Sequence, residues 1–406
     1  MKKLKSIHKL SKNERIEVLS KNNLYKKEYD TILDSELFNH LIENYITTYE
    51  VPLGVAPNFL IDGKYYHIPM ATEEPSVIAG ASYAAKIIAR NGGFKIDSLN
   101  RMGLGQIIFK DIINFNELEN FINKNRDNIF KVALKAHPNI ASLGGGLKDF
   151  YLEKKEYNFA TLYCEINTLD AMGANTINTI LESIASFIEI NYKDNILMSI
   201  LSNLATKSLV KASVKIDPNT LKNSDRVAKD IHDASLYASI DPYRASTHNK
   251  GIMNGISALM LATGNDTRAI EAAAHSYAAI SGKYQPLATW EFKNNYLIGE
   301  IIIPLQLGTI GGSINILPKA KLSYEILKIK DATSLMKVAA SLGLAQNFAA
   351  LYALTTDGIN KGHLKLHARS IALKAGANQD NLNDVVTYLI ESKEITVLNA
   401  KKYLNK

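Results

Sequence analysis

A single cysteine, Cys164, stands among 406 residues. One thiol excludes an intrachain disulfide framework and fits a reducing compartment. It lies in the strand-like run FATLYCEIN, which makes it a core residue rather than a nucleophile. The run 301–318 does not read as a membrane span. This long uncharged stretch is interrupted by Pro304, Gln306, Gly308, Gly311 and Gly312. The basic start MKKLKSIHKLSKNER has no apolar region of the kind a signal peptide needs. A soluble, cytoplasmic protein is the expectation. Internal repeats and low-complexity tracts are missing. So are a GxGxxG fingerprint after a strand, a Walker A loop and an HExxH pair.

The net charge is +7, which suits an anionic ligand as well as it suits nucleic acid. A nucleic-acid surface predicts clustered Lys and Arg with interleaved aromatics, and the basic residues here are spread out. Nucleic-acid binding is thus the less favoured of two classes. DNA affinity at physiological salt, without cofactor binding, would mark it. Apolar content of 46% and charged content of 21% describe an ordinary globular protein, long enough for two or three domains.

Patterning predicts helices at 11–48, then strands with an Asp62-Gly63 hairpin. A helix follows in PSVIAGASYAAKIIARNGG, with Pro75 in its first turn and Gly92-Gly93 past its end. From 105 to about 210 the order is QIIFKDI (strand), a helix to KVALKA, strands KDFYLEKKE and NFATLYCEIN, a helix from ANTINT, and SLVKASVKID (strand). That is a β-α-β-β-α-β pattern, the ferredoxin-like split βαβ arrangement. Helical, Ala-rich sequence resumes after 220, so this unit reads as an insertion into a larger domain. The fold class expected is α+β. A large, mostly helical domain spans 1–104 and 211–357, the inserted βαββαβ unit spans 105–210, and a small helical unit occupies 358–406.

Four segments carry candidate chemistry. In DPYRASTHNKGIMNGISALMLATGND, at 241–266, Arg244, Lys250, Asn254 and Asp266 are interleaved with small and apolar residues. Partly buried charges need partners, and Lys250 with Asp266 is a natural pair. Such a lysine stabilises a developing oxyanion in a closed site; a structural ion pair is the plainer alternative. Glu73 and Glu74 open an apolar helix, where the helix dipole favours carboxylates, and a desolvated one there serves as a general acid. His363 and His367 are i,i+4, which suits zinc ligands as well as proton transfer. The further ligands of a metal hydrolase are not evident, and no metal is expected. Finally, DAMGAN at 170–175 follows a strand and opens a helix, where backbone N–H groups meet phosphates. Asp170 there is an N-cap or a ribose contact.

Taken in order, the motifs ENYI (43–46), PMATEEPS (69–76), LGGG (143–146), DAMGAN, SNLA (202–205), DPYR…HNKGIMNG…ATGND, GTIGG (308–312) and GHLKLHAR (362–369) resemble the class II 3-hydroxy-3-methylglutaryl-coenzyme A (HMG-CoA) reductases over nearly the whole chain. The resemblance implies reduction of HMG-CoA to mevalonate and coenzyme A in isoprenoid biosynthesis, or the reverse in a degradative setting, with NADPH or NADH as cofactor. It implies homodimers, or assemblies of dimers, that share active sites. The large domain would bind substrate and coenzyme A, the inserted unit the dinucleotide, and the C-terminal unit would be a closing flap. Catalytic roles carry over to Glu74, Lys250, Asp266 and His363, and substrate contacts to Arg244, Ser76, Asn254 and Gln346. Coenzyme A contacts carry over to Glu43 and Asn44, and cofactor contacts to Asp170, Met172, Gly173, Asn175 and Asn203. Two departures stand out. Thr47 replaces a glycine of the family's ENVIG-like motif. His137, before LGGG, stands where NADH-preferring members carry an acid that would repel a 2′-phosphate, which favours NADPH.

Overall fold

The computed structural model describes residues 10–25, 35–192, 195–356 and 358–405. Helices α1 (Lys12–Lys21) and α2 (Ser35–Leu41) precede the hairpin β1 (Leu53–Ile61) and β2 (Lys64–Ala71). Ile61 pairs with Lys64, so Asp62 and Gly63 alone form the turn, at φ of 46° and 76°. Two positive φ values in a two-residue loop are what a type I′ turn requires. Next come α3 (Pro75–Arg90) and β3 (Lys95–Leu99). The inserted unit holds β4 (Gly103–Phe109), α4 (Phe115–Lys124), α5 (Arg126–Ala136), α6 (Pro138–Ser142), β5 (Gly146–Lys154), β6 (Ala160–Asn167), α7 (Ala174–Tyr192) and β7 (Ile196–Leu201). The chain returns through β8 (Leu209–Ile216), α8 (Ser224–Ile240), α9 (Pro242–Thr263), α10 (Thr267–Ala278), β9 (Ala288–Lys293), β10 (Tyr296–Pro304), α11 (Pro318–Leu327) and α12 (Ala332–Thr355). It ends in α13 (Ile359–Lys374), α14 (Leu382–Glu391) and α15 (Val397–Leu404).

The α+β class holds, with helices packed against two separate four-stranded antiparallel sheets besides the β1-β2 hairpin. The inserted sheet runs β5-β6-β4-β7, every neighbouring pair antiparallel. In the order of its own strands that is 2-3-1-4, as a split βαβ unit demands. One expected strand is placed differently. The last strand of this sheet is β7, in NILMSIL, whereas SLVKASVKI forms β8 in the other sheet, β3-β8-β10-β9. Alternation buries Val210, Ala212, Val214 and Ile216 in the core of the larger unit. A period of two predicts a strand but not its partner.

The larger core is built around α12. This helix is long and apolar enough to cross a membrane, yet 72% of its apolar window is buried inside the protein. It packs on α3, α8, α9, β8 and β10. The inserted unit has its own core, in which Phe109, Leu118, Ile129, Leu162, Cys164 and Ile184 are all fully buried. A third, small core joins α13, α14 and α15 around Val385 and Leu389. The backbone of α13 touches α3 and α12.

Candidate active site

Pro75 at the first helical position stops α3 from extending back and leaves Glu74 as its N-cap, with an extended backbone and a carboxylate that caps no N–H. That carboxylate is therefore free to face across the site. Ser76 Oγ donates to Glu74 Oε1 at 2.8 Å, and Lys250 Nζ lies 3.6 Å from Glu74 Oε2. Ser76, expected at the substrate's carboxylate, here orients the acid. The partner of Lys250 is Glu74 rather than Asp266. Asp266 caps α10 by accepting from Ala269 N at 3.1 Å, and Arg268 approaches it at 3.6 Å.

Lys250 is aimed by the two residues before it, which motif reading passed over. His248 and Asn249 are fully buried. His248 Nε2 donates to Ala288 O at 2.9 Å, since a carbonyl only accepts. Asn249 Nδ2 donates to Gln285 O and its Oδ1 accepts from Leu287 N, both at 2.9 Å. These bonds lock α9 onto the approach to β9 and turn the next side chain, Lys250, outwards. The signal was two polar residues in a small-residue helix. Burial holds the His248 imidazole down to about 4, so it is neutral at ordinary pH. Arg244 and Asn254 are half-buried on the same helix, and burial lowers the Arg244 guanidinium below its ordinary value. Gln346 of α12 is buried and donates through Nε2 to Val77 O at 2.7 Å, tying α12 to the first turn of α3.

The second group forms around 168–175. Met172, Ala174, Ser202 and Asn203 line one crevice with Gln306 and Ala269. Ala269 donates the N–H that Asp266 accepts, so the DAMGAN loop, the SNLA segment and the capped end of α10 meet. Gly173 is at φ 90°, and a Cβ there would fall 2.2 Å from Thr168 Cγ2. Only glycine fits this turn. The turn delivers the chain into α7, and the first N–H groups of a helix have no partner within it and favour an anion. That geometry fits a dinucleotide phosphate. Asn175 and Asn203 are exposed beside it. Asp170 is occupied: Oδ1 accepts from Ala332 N at 2.8 Å, at the start of α12. Gln306 Nε2 donates to Met172 O at 2.7 Å, which motif reading also missed; its signal was one amide in an apolar stretch. His137 Nε2 lies 3.5 Å from Thr176 Oγ1 in the first turn of α7, and its Nδ1 is buried without a partner.

Glu43 and Asn44 sit apart, exposed in the segment after α2, with Asn44 at φ 57°. Among the described residues neither bonds to the Glu74–Lys250 group. Nearer to Glu74, a cleft of about 890 Å³ opens between α1, β1, α3 and α11. Its walls include Pro75, Ile78 and Leu322 with the cationic side chains of Arg15, Lys86 and Lys319. His363 lies on α13, and its side chain is outside the described residues. Among the described residues no group of three or more His, Cys, Asp or Glu is arranged to hold a metal.

Comparison with known proteins agrees with this geometry. The profile of the hydroxymethylglutaryl-coenzyme A reductase family matches residues 9–368. A 3-hydroxy-3-methylglutaryl-coenzyme A reductase of Archaeoglobus fulgidus is 43% identical over 413 residues, spanning 100% of this chain and 94% of that protein. A Borreliella burgdorferi relative is 37% identical over 386 residues, covering 91% of this chain and 88% of its own. The 3-hydroxy-3-methylglutaryl-coenzyme A reductase from Streptococcus pneumoniae has a TM-score of 0.84 at 40% identity, with 99% of each chain covered. A class II structure from the same organism, bound to NADPH in open conformations, has a TM-score of 0.83 at 40% identity, covering 87% of this chain and 99% of that one. The cation–carboxylate pair at the start of α3 thus sits in a chain that belongs to the hydroxymethylglutaryl-coenzyme A reductase family, on its class II branch.

Proposed function

We propose that this chain reduces HMG-CoA to mevalonate and free coenzyme A, with NADPH as the cofactor. The observation that carries the proposal is the meeting of a cation and a carboxylate, Lys250 and Glu74, in a chain whose DAMGAN loop and capped α10 build a second crevice. The cofactor, when bound, supplies hydride to the substrate carbonyl carbon, once at the thioester and once at the aldehyde. Negative charge gathers on the same carbonyl oxygen both times. Lys250 faces that oxygen, and one fixed ammonium serves both reductions. Glu74, oriented by Ser76, delivers the proton the oxygen takes up. Asp266 holds the N-terminus of α10 and the crevice edge in place. Between the reductions the carbon–sulfur bond breaks, and His363 gives its proton to the departing thiolate so that the sulfur cannot return.

Binding roles follow from the same placement. Arg244 clamps the substrate's free carboxylate, with Asn254 and Gln346 beside it. The pantetheine arm lies in the apolar cleft along α3, the phosphates of coenzyme A near Arg15, Lys86 and Lys319, and Glu43 and Asn44 close over it from a neighbouring segment. Asn175, Asn203 and the start of α7 hold the dinucleotide, and His137 accepts the 2′-phosphate. The division into a large domain (1–104 and 211–357), a cofactor unit (105–210) and a flap (358–406) has support in the three separate cores, with β8 on the large side. A homodimer in the cytoplasm is the working assembly. Its support is the apolar surface on α8 and the start of α9, where Leu236, Tyr237, Ile240 and Tyr243 are 54–85% exposed. The test follows nicotinamide absorbance with NADPH and then NADH, with and without HMG-CoA. Oxidation that requires HMG-CoA and is faster with NADPH is the expected result; none with either cofactor would overturn the proposal.

A further inference from the structure

The chain enters the inserted unit at 100–102 and leaves it at 202–208. The two crossings are tied side by side. Asn100 N donates to Leu209 O at 2.9 Å and Met102 N to Lys207 O at 3.0 Å, and Ser208 Oγ donates to Met102 O at 2.8 Å. Arg101 stands in the middle of the entering link, between β3 and β4. Its guanidinium turns away from solvent into the turn before α7. Nε donates to Leu169 O at 2.6 Å and Nη2 donates to Ala171 O at 2.7 Å, while Nη1 approaches Met336 Sδ of α12 at 3.9 Å.

Those two carbonyls bracket Asp170, the first residue of DAMGAN. A cation buried on two carbonyls is costly, and the nearby Asp170 carboxylate is what supports its charge. Burial lowers the guanidinium to about 10, and Asp170 opposes that shift. Leu169 is at φ 52°, a backbone region that non-glycine residues enter at a cost. The Arg101 bond to its carbonyl holds that conformation. Within the inserted unit Thr168 Oγ1 also donates to Ala171 O at 2.8 Å and Leu169 N donates to Asn167 Oδ1 at 2.9 Å, and further grips come from the large unit. Thr309 N donates to Asp170 O at 2.8 Å, Ala332 N donates to Asp170 Oδ1, and Gln306 holds Met172 O. Arg101 differs from them in lying on the crossing itself. Any swing of the inserted unit about 100–102 is therefore transmitted to the turn that starts α7.

We propose that Arg101 is a positioning residue that fixes the 169–173 turn between the two units and so sets the affinity for the dinucleotide. This rests on reading 170–175 as the cofactor loop. NADPH binding, followed by quenching of its fluorescence without HMG-CoA, tests it alongside steady-state kinetics and Tm. The variants are Arg101→Gln, Arg101→Lys and, as a direct-contact control, Asn175→Ala. Two charge-assisted bonds are lost in Arg101→Gln, and a rise of about ten- to hundredfold in the Kd and KM for NADPH is expected, with KM for HMG-CoA within about twofold. Arg101→Lys keeps the charge and reaches one carbonyl, so it gives an intermediate Kd, and it serves alone if the Gln variant does not fold. An unchanged NADPH Kd in the Arg101 variants, with Asn175→Ala impaired, overturns the positioning role. Equal loss of affinity for NADPH and HMG-CoA with a lowered Tm reduces Arg101 to support of the fold and also overturns it. If Asn175→Ala and the Arg101 variants all bind NADPH normally, the cofactor-loop reading fails and the proposal falls with it.

Discussion

Replacing Lys250 with alanine separates its role in the resting fold from its role in the reaction. In the free protein Nζ lies 3.6 Å from Glu74 Oε2, with the two side chains 66% and 37% exposed. At that distance the Coulomb energy is about 1 kcal/mol when water screens it (332/(80 × 3.6)), and about 5 kcal/mol at an effective dielectric near 20 (332/(20 × 3.6)). The exposure places the resting pair near the lower figure, and exposed pairs contribute about 0–1 kcal/mol to stability. Lys250→Ala should therefore unfold at nearly the parental temperature. In the proposed reaction the same ammonium would face an oxyanion in a closed, drier site. Loss of one such contact costs about 3–4 kcal/mol in the barrier, a fall of roughly 10²–10³ in kcat. The assay measures HMG-CoA reduction and reduction of free mevaldehyde separately, with circular dichroism as the control for folding. Both rates should fall together, because one cation serves one oxygen twice. Near-parental turnover in a folded variant refutes the reasoning, and so does a fall in only one of the two reductions.

His137→Asp should shift the NADPH-to-NADH ratio of kcat/KM towards NADH by about tenfold or more, because a carboxylate beside the first turn of α7 repels a 2′-phosphate; an unchanged ratio removes His137 from the cofactor site. His248 is neutral in the fold, with its imidazole lowered to about 4 from 6.5. The unfolded chain then binds the extra proton first, so stability falls as pH drops from about 6.5 towards 4, by about 3 kcal/mol at most. Denaturant unfolding of His248→Gln should be flatter across that window, and an identical pH profile would contradict this. His363→Gln should impair HMG-CoA reduction far more than mevaldehyde reduction, since only the thioester must expel a thiolate with a reference pKa of about 8.5. Equal effects on both activities, or loss of bound metal, would assign that histidine another role.

Much of the fold was legible where local rules decide it. Pro75 and Gly92-Gly93 bound α3, Asp62-Gly63 set the hairpin, and the strand before DAMGAN and the helix after it stand where the pattern puts them. What local rules do not carry is pairing. β7 is short, and three of its residues, Leu197, Met198 and Ile200, are 42–47% exposed, so no alternation marks it. β8 alternates well, yet only contacts distant in sequence assign it to β3 and β10. The expected helix through KVALKA is broken at Asn125, which ends α4 and begins α5. The site divides in the same way. Glu74 and Lys250 were visible as charges among small residues, and they do meet. Their mutual pairing was not, because Asp266 is far nearer to Lys250 in sequence and only the packing of α3 against α9 decides. Gln306 and Arg101 gave no motif, since each acts through backbone carbonyls of a remote turn.

The most direct test of the central claim is stoichiometry. Purified protein, NADPH and limiting HMG-CoA are allowed to react to completion, and NADPH consumed, free thiol released and mevalonate formed are measured together. One fixed cation serving two successive hydride transfers predicts two NADPH oxidised for each thiol and each mevalonate, with no aldehyde accumulating. One NADPH per thiol with mevaldehyde left over, or thiol release without NADPH oxidation, would contradict it.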